Sequence, residues 1–260
     1  MRKLHEDEIV KLIFPSFDQE KHSLAEASPM DCTGHAVLSD PLLAGGKSRT
    51  PFVLQEGDLV YGSGADRVKV IWLKMLTWPD GTVGGPLAIV RSGERFADLF
   101  AVGALRGSAD RTRLETVRMG DELLVTTEDD TCASRVPGAA CENKMVVYLP
   151  RRGVLARAAE IPVERIDYVA AAGERAASGK LEYHLTSVAE YRSEGIRLVE
   201  QIRVKDDAGR ELRKAELERT FTLTSTGELK PNEPPLWDRV MASETRPATE
   251  TEAAPRHLHR

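Results

Sequence analysis

The chain has 260 residues, with 36 Lys and Arg against 41 Asp and Glu, and it is 41% hydrophobic and 30% charged. That composition excludes wholesale disorder and leaves enough apolar material for a sizeable core without metals or many disulfides. A net charge of −5 argues against the broad positive field of a nucleic-acid binder, and no apolar run nears the roughly 20 residues of a membrane-spanning helix, so neither a nucleic-acid partner nor a membrane span is expected.

In chain order, Glu6 to Phe14 places Ile9, Leu12, Ile13 and Phe17 on one helical face, with Glu6, Asp7 and Glu8 in the favourable first turn; this predicts a short helix ending near Pro15. The same acidic residues stand where an export signal would carry its apolar core. From Ala25 to Thr50 the chain is rich in Ser, Pro, Gly and Asp, and reads as loop or as a lead-in strapped across the body. Within it, Cys32 lies three residues before His35. That spacing fixes no geometry for a thiolate nucleophile, and Cys32 reads as an incidental thiol of unassigned role. Gly45-Gly46-Lys47-Ser48 has the end of a phosphate-binding loop but Pro41 in place of the first glycine, and reads as a flexible loop.

The regular body starts at Phe52. In Arg67 to Trp78, Val68, Val70 and Trp72 point one way and Ile71, Leu73 and Met75 the other, so a strand covered on both faces is expected, ending in a turn at Pro79-Asp80-Gly81. A strand follows at Leu87 to Arg91, whereas Phe96 to Leu105 fits helix and buried strand equally. Arg113 to Met119 and Glu122 to Thr127 read as a hairpin about Gly120-Asp121, extended by Lys144 to Leu149 into a meander. Val163 to Arg175 sets Val163, Ile166 and Val169 at helical spacing, which predicts a connecting helix. Leu181 to Tyr191, Ile196 to Lys205 and Glu211 to Thr224 are three long antiparallel strands, the last favoured over a helical start. In the middle one Ile196, Leu198, Ile202 and Val204 share a face opposite Arg197, Gln201, Arg203 and Lys205. The charged residues of this meander, Glu200 and Arg219 among them, are assigned to the surface. A short closing helix is expected at Trp237 to Met241, and Ser243 to Arg260 has the composition of a disordered tail.

The expected fold is therefore mostly β, α+β tending to all-β, with antiparallel meanders or sandwich-like sheets, an N-terminal helix and one connecting helix. The expected organisation is a lead-in over 1–50, a mostly-β domain over 51–242 with a break between two sheets near 151–179, and a tail over 243–260.

The chemistry is sparse. Cys132 and Cys141 bracket a loop carrying Pro137 and Gly138 between two strand-like runs, and a hairpin would bring them together as a disulfide. A disulfide implies an oxidising compartment, periplasmic or extracellular, while the missing signal points to the cytoplasm. No His-Glu-x-x-His, Cys-x-x-Cys or dinucleotide fingerprint occurs, so no catalytic residue, metal or cofactor is assigned. Glu128, Asp129 and Asp130 lack the spacing of a calcium loop, and His257 and His259 read as solvated. His184 with Glu182 two residues away is the one candidate acid/base pair in the meander. The leading expectation is a non-catalytic, exported binding or assembly module that contacts a protein or glycan through a sheet face or loops, with oligomeric state open. The alternatives are a hydrolase whose acid/base site has no local motif, and a cytoplasmic scaffold or regulator with reduced thiols.

Overall fold

The computed structural model describes residues 4–24, 33–49, 51–64, 68–93, 96–170 and 179–245. The N-terminal helix α1 spans Glu6–Ile13, where the Glu8 carboxylate accepts the His5 N–H (3.0 Å) and Ile9, Val10 and Ile13 are buried. Short strands β1 (Ser23–Leu24), β2 (Lys47–Ser48), β3 (Phe52–Val53) and β4 (Leu59–Tyr61) follow. The long strands are β5 (Val68–Leu73), β7 (Thr82–Ser92), β8 (Ala97–Ser108), β9 (Thr112–Met119), β10 (Glu122–Asp129), β11 (Cys141–Arg151) and β12 (Val154–Ala170), with β6 (Leu76–Thr77) between the first two. Then come β13 (Lys180–Arg192), β14 (Gly195–Lys205), β15 (Glu211–Leu223) and β16 (Leu229–Pro231), and the chain's last described element is helix α2, Leu236–Thr245. The mostly-β expectation holds, with antiparallel pairing dominant.

Hydrogen bonding closes eight of these strands into a ring. β4, β5, β7 and β8 pair antiparallel in that order, and β9, β10, β11 and β12 form a second antiparallel run. The runs join at two parallel seams: Val102 of β8 sits beside Val154 of β12, and Ser63, just past β4, sits beside Glu115 of β9. Val102 N–H donates to Gly153 O (3.1 Å) at the first seam, and Ser63 N–H to Leu114 O (3.0 Å) at the second. Val70, Trp72, Leu87, Ile89, Leu105, Val125, Tyr148 and Leu155 fill the interior.

The outside of the ring is covered as well. α1 and the lead-in lie on Ile71, Leu73, Ala88, Val90 and Val102, which is why β5 and β7 are apolar on both faces. On the opposite wall, Leu124, Met145, Val147 and Leu149 meet Ile196, Leu198 and Phe221, because the meander from β12 through β16 folds back over the ring. Farther along, α2 covers Leu181, Tyr183, Leu185, Ile202 and Val204.

Three expectations change. Phe96 to Leu105, open between helix and strand, lies in β8. The connecting helix at Val163 to Arg175 is not formed through Ala170: those residues belong to β12, which pairs with β11 on one side and β13 on the other. Val163 and Val169 face successive apolar layers on one side of that strand while Ile166 faces the other, so their spacing of three is not a helical stripe. Finally, Glu200 and Arg219 are not at the surface but 0% and 2% exposed. Arg219 Nη2 donates to Glu200 Oε1 (2.7 Å) and Nη1 to Glu233 O (2.9 Å), and Glu200 Oε2 accepts the Leu236 N–H (2.8 Å) at the start of α2. Cys32, residues 171–175 of the expected helix, most of the tail and His257 and His259 lie outside the described residues.

Candidate functional site beneath the disulfide loop

The chain leaves β10 at Asp129 and returns in β11 at Cys141, which pairs with Ile166 of β12, while Cys132 sits in a short 3-10 turn, Cys132–Ser134. The two cysteines form a disulfide with Cα atoms 5.3 Å apart, within the separation such a bond requires. The bond closes a loop that folds over the outer edge of β11, β12 and β13.

Asn143 fastens the loop. It is 3% exposed, and its amide is used on both sides. Oδ1 accepts the Cys132 N–H (2.9 Å) and the Thr131 hydroxyl (3.1 Å), while Nδ2 donates to Asp130 Oδ1 (3.0 Å) and Glu164 Oε2 (3.0 Å). The other Glu164 oxygen lies 3.0 Å from His184 Nε2. A polar chain thus runs Asp130, Asn143, Glu164, His184 from the loop across three strands. A second chain lies alongside: Arg135 Nη1 donates to the Tyr168 hydroxyl (3.0 Å), which donates to Glu182 Oε2 (2.9 Å). Buried amides with all four bonding sites used rigidify what they join.

The pairing of His184 with Glu182 is therefore corrected. Register places Ile166 opposite His184 and Tyr168 opposite Glu182, so each side chain finds a partner on β12 rather than along its own strand. Asn143 carries the arrangement, and its sequence signal is a lone amide two residues past a cysteine, just before the strand-like run Lys144 to Leu149.

Between the loop and the turn joining β14 to β15 lies a groove of about 360 Å³, walled by Gly138, Tyr168, Lys180, Glu182, Lys205 and Asp207. Val136 stands 70% exposed at the loop tip. The acidic residues before the loop diverge: Asp129 accepts from Ser108 N–H (3.2 Å), Asp130 from Ala133 N–H (3.0 Å), and Glu128 is half-buried. Burial pushes the Glu128 carboxyl above its ordinary value, Arg113 opposes the rise, and the charges of Asp130, Glu115 and Glu164 add to it. Among the described residues no three His, Cys, Asp or Glu side chains converge as a metal site.

His35 is elsewhere. It lines a cavity of about 440 Å³ at the seam of β8 and β12, together with Asp40, Tyr148 and Arg157. Burial raises the Tyr148 phenol to about 12. Among the described residues no helix is long and apolar enough to cross a membrane. Compared with protein-family models, curated proteins and solved structures, the chain matches none.

Proposed function

We propose that the protein is a non-catalytic binding or assembly module, exported to the periplasm or beyond the cell, that contacts a protein or glycan through the disulfide-closed loop and the sheet face beside it. The observation that carries this reading is the mounting of the loop. Disulfide and Asn143 hold it against three strands, so little ordering entropy is lost when a partner meets Val136 at its tip and the charged groove at its base. The disulfide fits an oxidising compartment. The test is photo-crosslinking in the native host from a reactive residue placed at position 136, with Val53, 42% exposed on another part of the surface, as the control position. A glycan array probes the second partner class. Adducts from 136 but not 53, or a retained glycan released by Val136→Asp, support the reading; neither adduct nor glycan overturns it.

A second reading, a hydrolase with no local motif, rests on the 440 Å³ cavity that holds His35 and Asp40 together. Turnover of a panel of activated esters and glycosides, abolished by His35→Ala, is the result that would establish it.

A further inference from the structure

β15 is the last long strand of the sheet, and only part of its outer edge is covered. β14 pairs with it from Glu211 to Thr222, whereas β16 reaches only Phe221 to Leu223. Asn232 finishes the covered part: Thr220 N–H donates to Asn232 Oδ1 (2.9 Å), and Thr220 O accepts the Asn232 N–H (2.9 Å). Thr220 therefore points both main-chain groups away from β14. The pairing with β14 runs without a register shift from Thr222 back to Arg213, so by the alternation of an antiparallel ladder Lys214, Glu216 and Glu218 point theirs the same way. Among the described residues no strand takes these groups.

An edge of this kind is a template for a further strand. Proline and mid-strand irregularity, two common protections, are missing: no proline falls within Glu211–Leu223, and the one register shift lies at the far end, opposite Val204 and Lys205. What the edge carries is charge. Lys214, Glu216 and Glu218 stand exposed on the outer face. Glu218 is held by Arg197 and Glu216 accepts from Gln201 Nε2 (3.2 Å), while Lys214 and Glu216 meet only loosely along their own strand, at 3.9 Å.

The order of these charges selects both a partner and a register. An antiparallel copy of the same edge must set outward-pointing residues opposite outward-pointing residues, which leaves every second register. Lys214 opposite its own copy brings ammonium groups together, Glu216 opposite its own copy brings carboxylates together, and Glu216 opposite Glu218 does so on both sides of the axis. With Ala215 opposite its own copy, Lys214 meets Glu216 on both sides and no like charges stand face to face.

We infer that the protein forms a two-fold dimer in which the β15 edges of two copies pair antiparallel about Ala215, joining the two sheets into one. The contact is isologous, as a two-fold axis demands. It is a strand pair without a large apolar core, so dilution separates it. Ala215 occupies the non-hydrogen-bonded position at the axis, where opposed Cα atoms stand about 4.5 Å apart, within the reach of a disulfide.

The test is sedimentation velocity of the full chain over a dilution series, beside Lys214→Glu and Glu216→Lys, both at exposed positions. Each substitution sets like charges opposite one another in both pairs and is expected to weaken the dimer about tenfold or more. Mixing the two variants is expected to restore dimers, since each then supplies the sign that the other lacks. In a Cys32→Ser background, Ala215→Cys is expected to form an intermolecular disulfide on mild oxidation, and Leu217→Cys, which faces Arg213 across the axis, to form none. Circular dichroism melts confirm that each variant folds. A parent chain still monomeric at about 1 mM would overturn the inference and leave the edge to a strand of another protein. Single variants that dimerise like the parent, a mixture that stays monomeric, or equal crosslinking from 215 and 217 would each overturn it as well.

Discussion

Glu200 and Arg219 show how a single side chain can be misplaced by its charge. Along β14 the alternate positions Ile196, Leu198, Glu200, Ile202 and Val204 form one inward row, and only chemistry singles out its third member. A carboxylate in that row is tolerable because Arg219, also in an apolar row on β15, meets it, and because Leu236 N–H takes its other oxygen. Breaking such a pair from one side leaves a buried charge unpaired, at a cost of about 3–5 kcal/mol. Glu200→Ala is therefore expected to lower unfolding free energy by that order in urea titration, with α2 losing its anchor first, and Glu200→Leu/Arg219→Leu to recover much of the loss. A single variant as stable as the parent would show that water reaches the site. Tyr148 offers a pH test. Folding raises its pKa from 10.0 to about 12 through burial, so its protonated phenol contributes stability fully below pH 10, and that contribution is lost as pH rises through 12. Tyr148→Phe is expected to flatten the alkaline fall in Tm over that range, and Tyr191, raised to about 12 by the same cause, is the companion position.

Elements were legible in the sequence where the alternation was long and the turn chemistry strong. The hairpin about Gly120, the three strands after Lys180 and the two-faced strand β5 all appear at or near their expected places. The disulfide was legible too, because a hairpin leaves its flanking residues little choice of neighbour. What failed was the stretch from Val163, where one strand passes from one apolar layer to another and its buried residues mimic a helical stripe. The polar chain beneath the loop was illegible for a related reason: Asn143, Glu164 and His184 lie on three different strands, and only register brings them together. The disulfide should matter energetically as well as for binding. Closing a loop of sequence separation 9 is worth roughly 2.5–3 kcal/mol in the chain-entropy model. Cys132→Ser/Cys141→Ser is expected to lose about that much, and hydrogen exchange to rise at position 132 and at Asn143 while the β14 amides stay protected. Uniform loss of protection would mean the loop holds the sheet rather than the reverse.

At the scale of the whole molecule, the ring depends on two short parallel seams between long antiparallel runs. Neither seam leaves a periodic signal in the sequence, since each rests on one or two residue pairs between strands far apart in the chain. The β8 to β12 seam has a specific steric requirement at Gly103, where an added Cβ would lie 2.3 Å from Leu155 O, a contact that backbone cannot yield without moving β12. Gly103→Ala should therefore part the seam. Overpacking of this kind costs about 1–3 kcal/mol, and its location predicts where the loss appears: exchange should quicken at Val102 and across the start of β12, while the α2-covered part of β13 and β14 keeps its protection. If Gly103→Ala is neutral in both stability and exchange, the seam is loose and the two runs are independent sheets in contact rather than one closed ring.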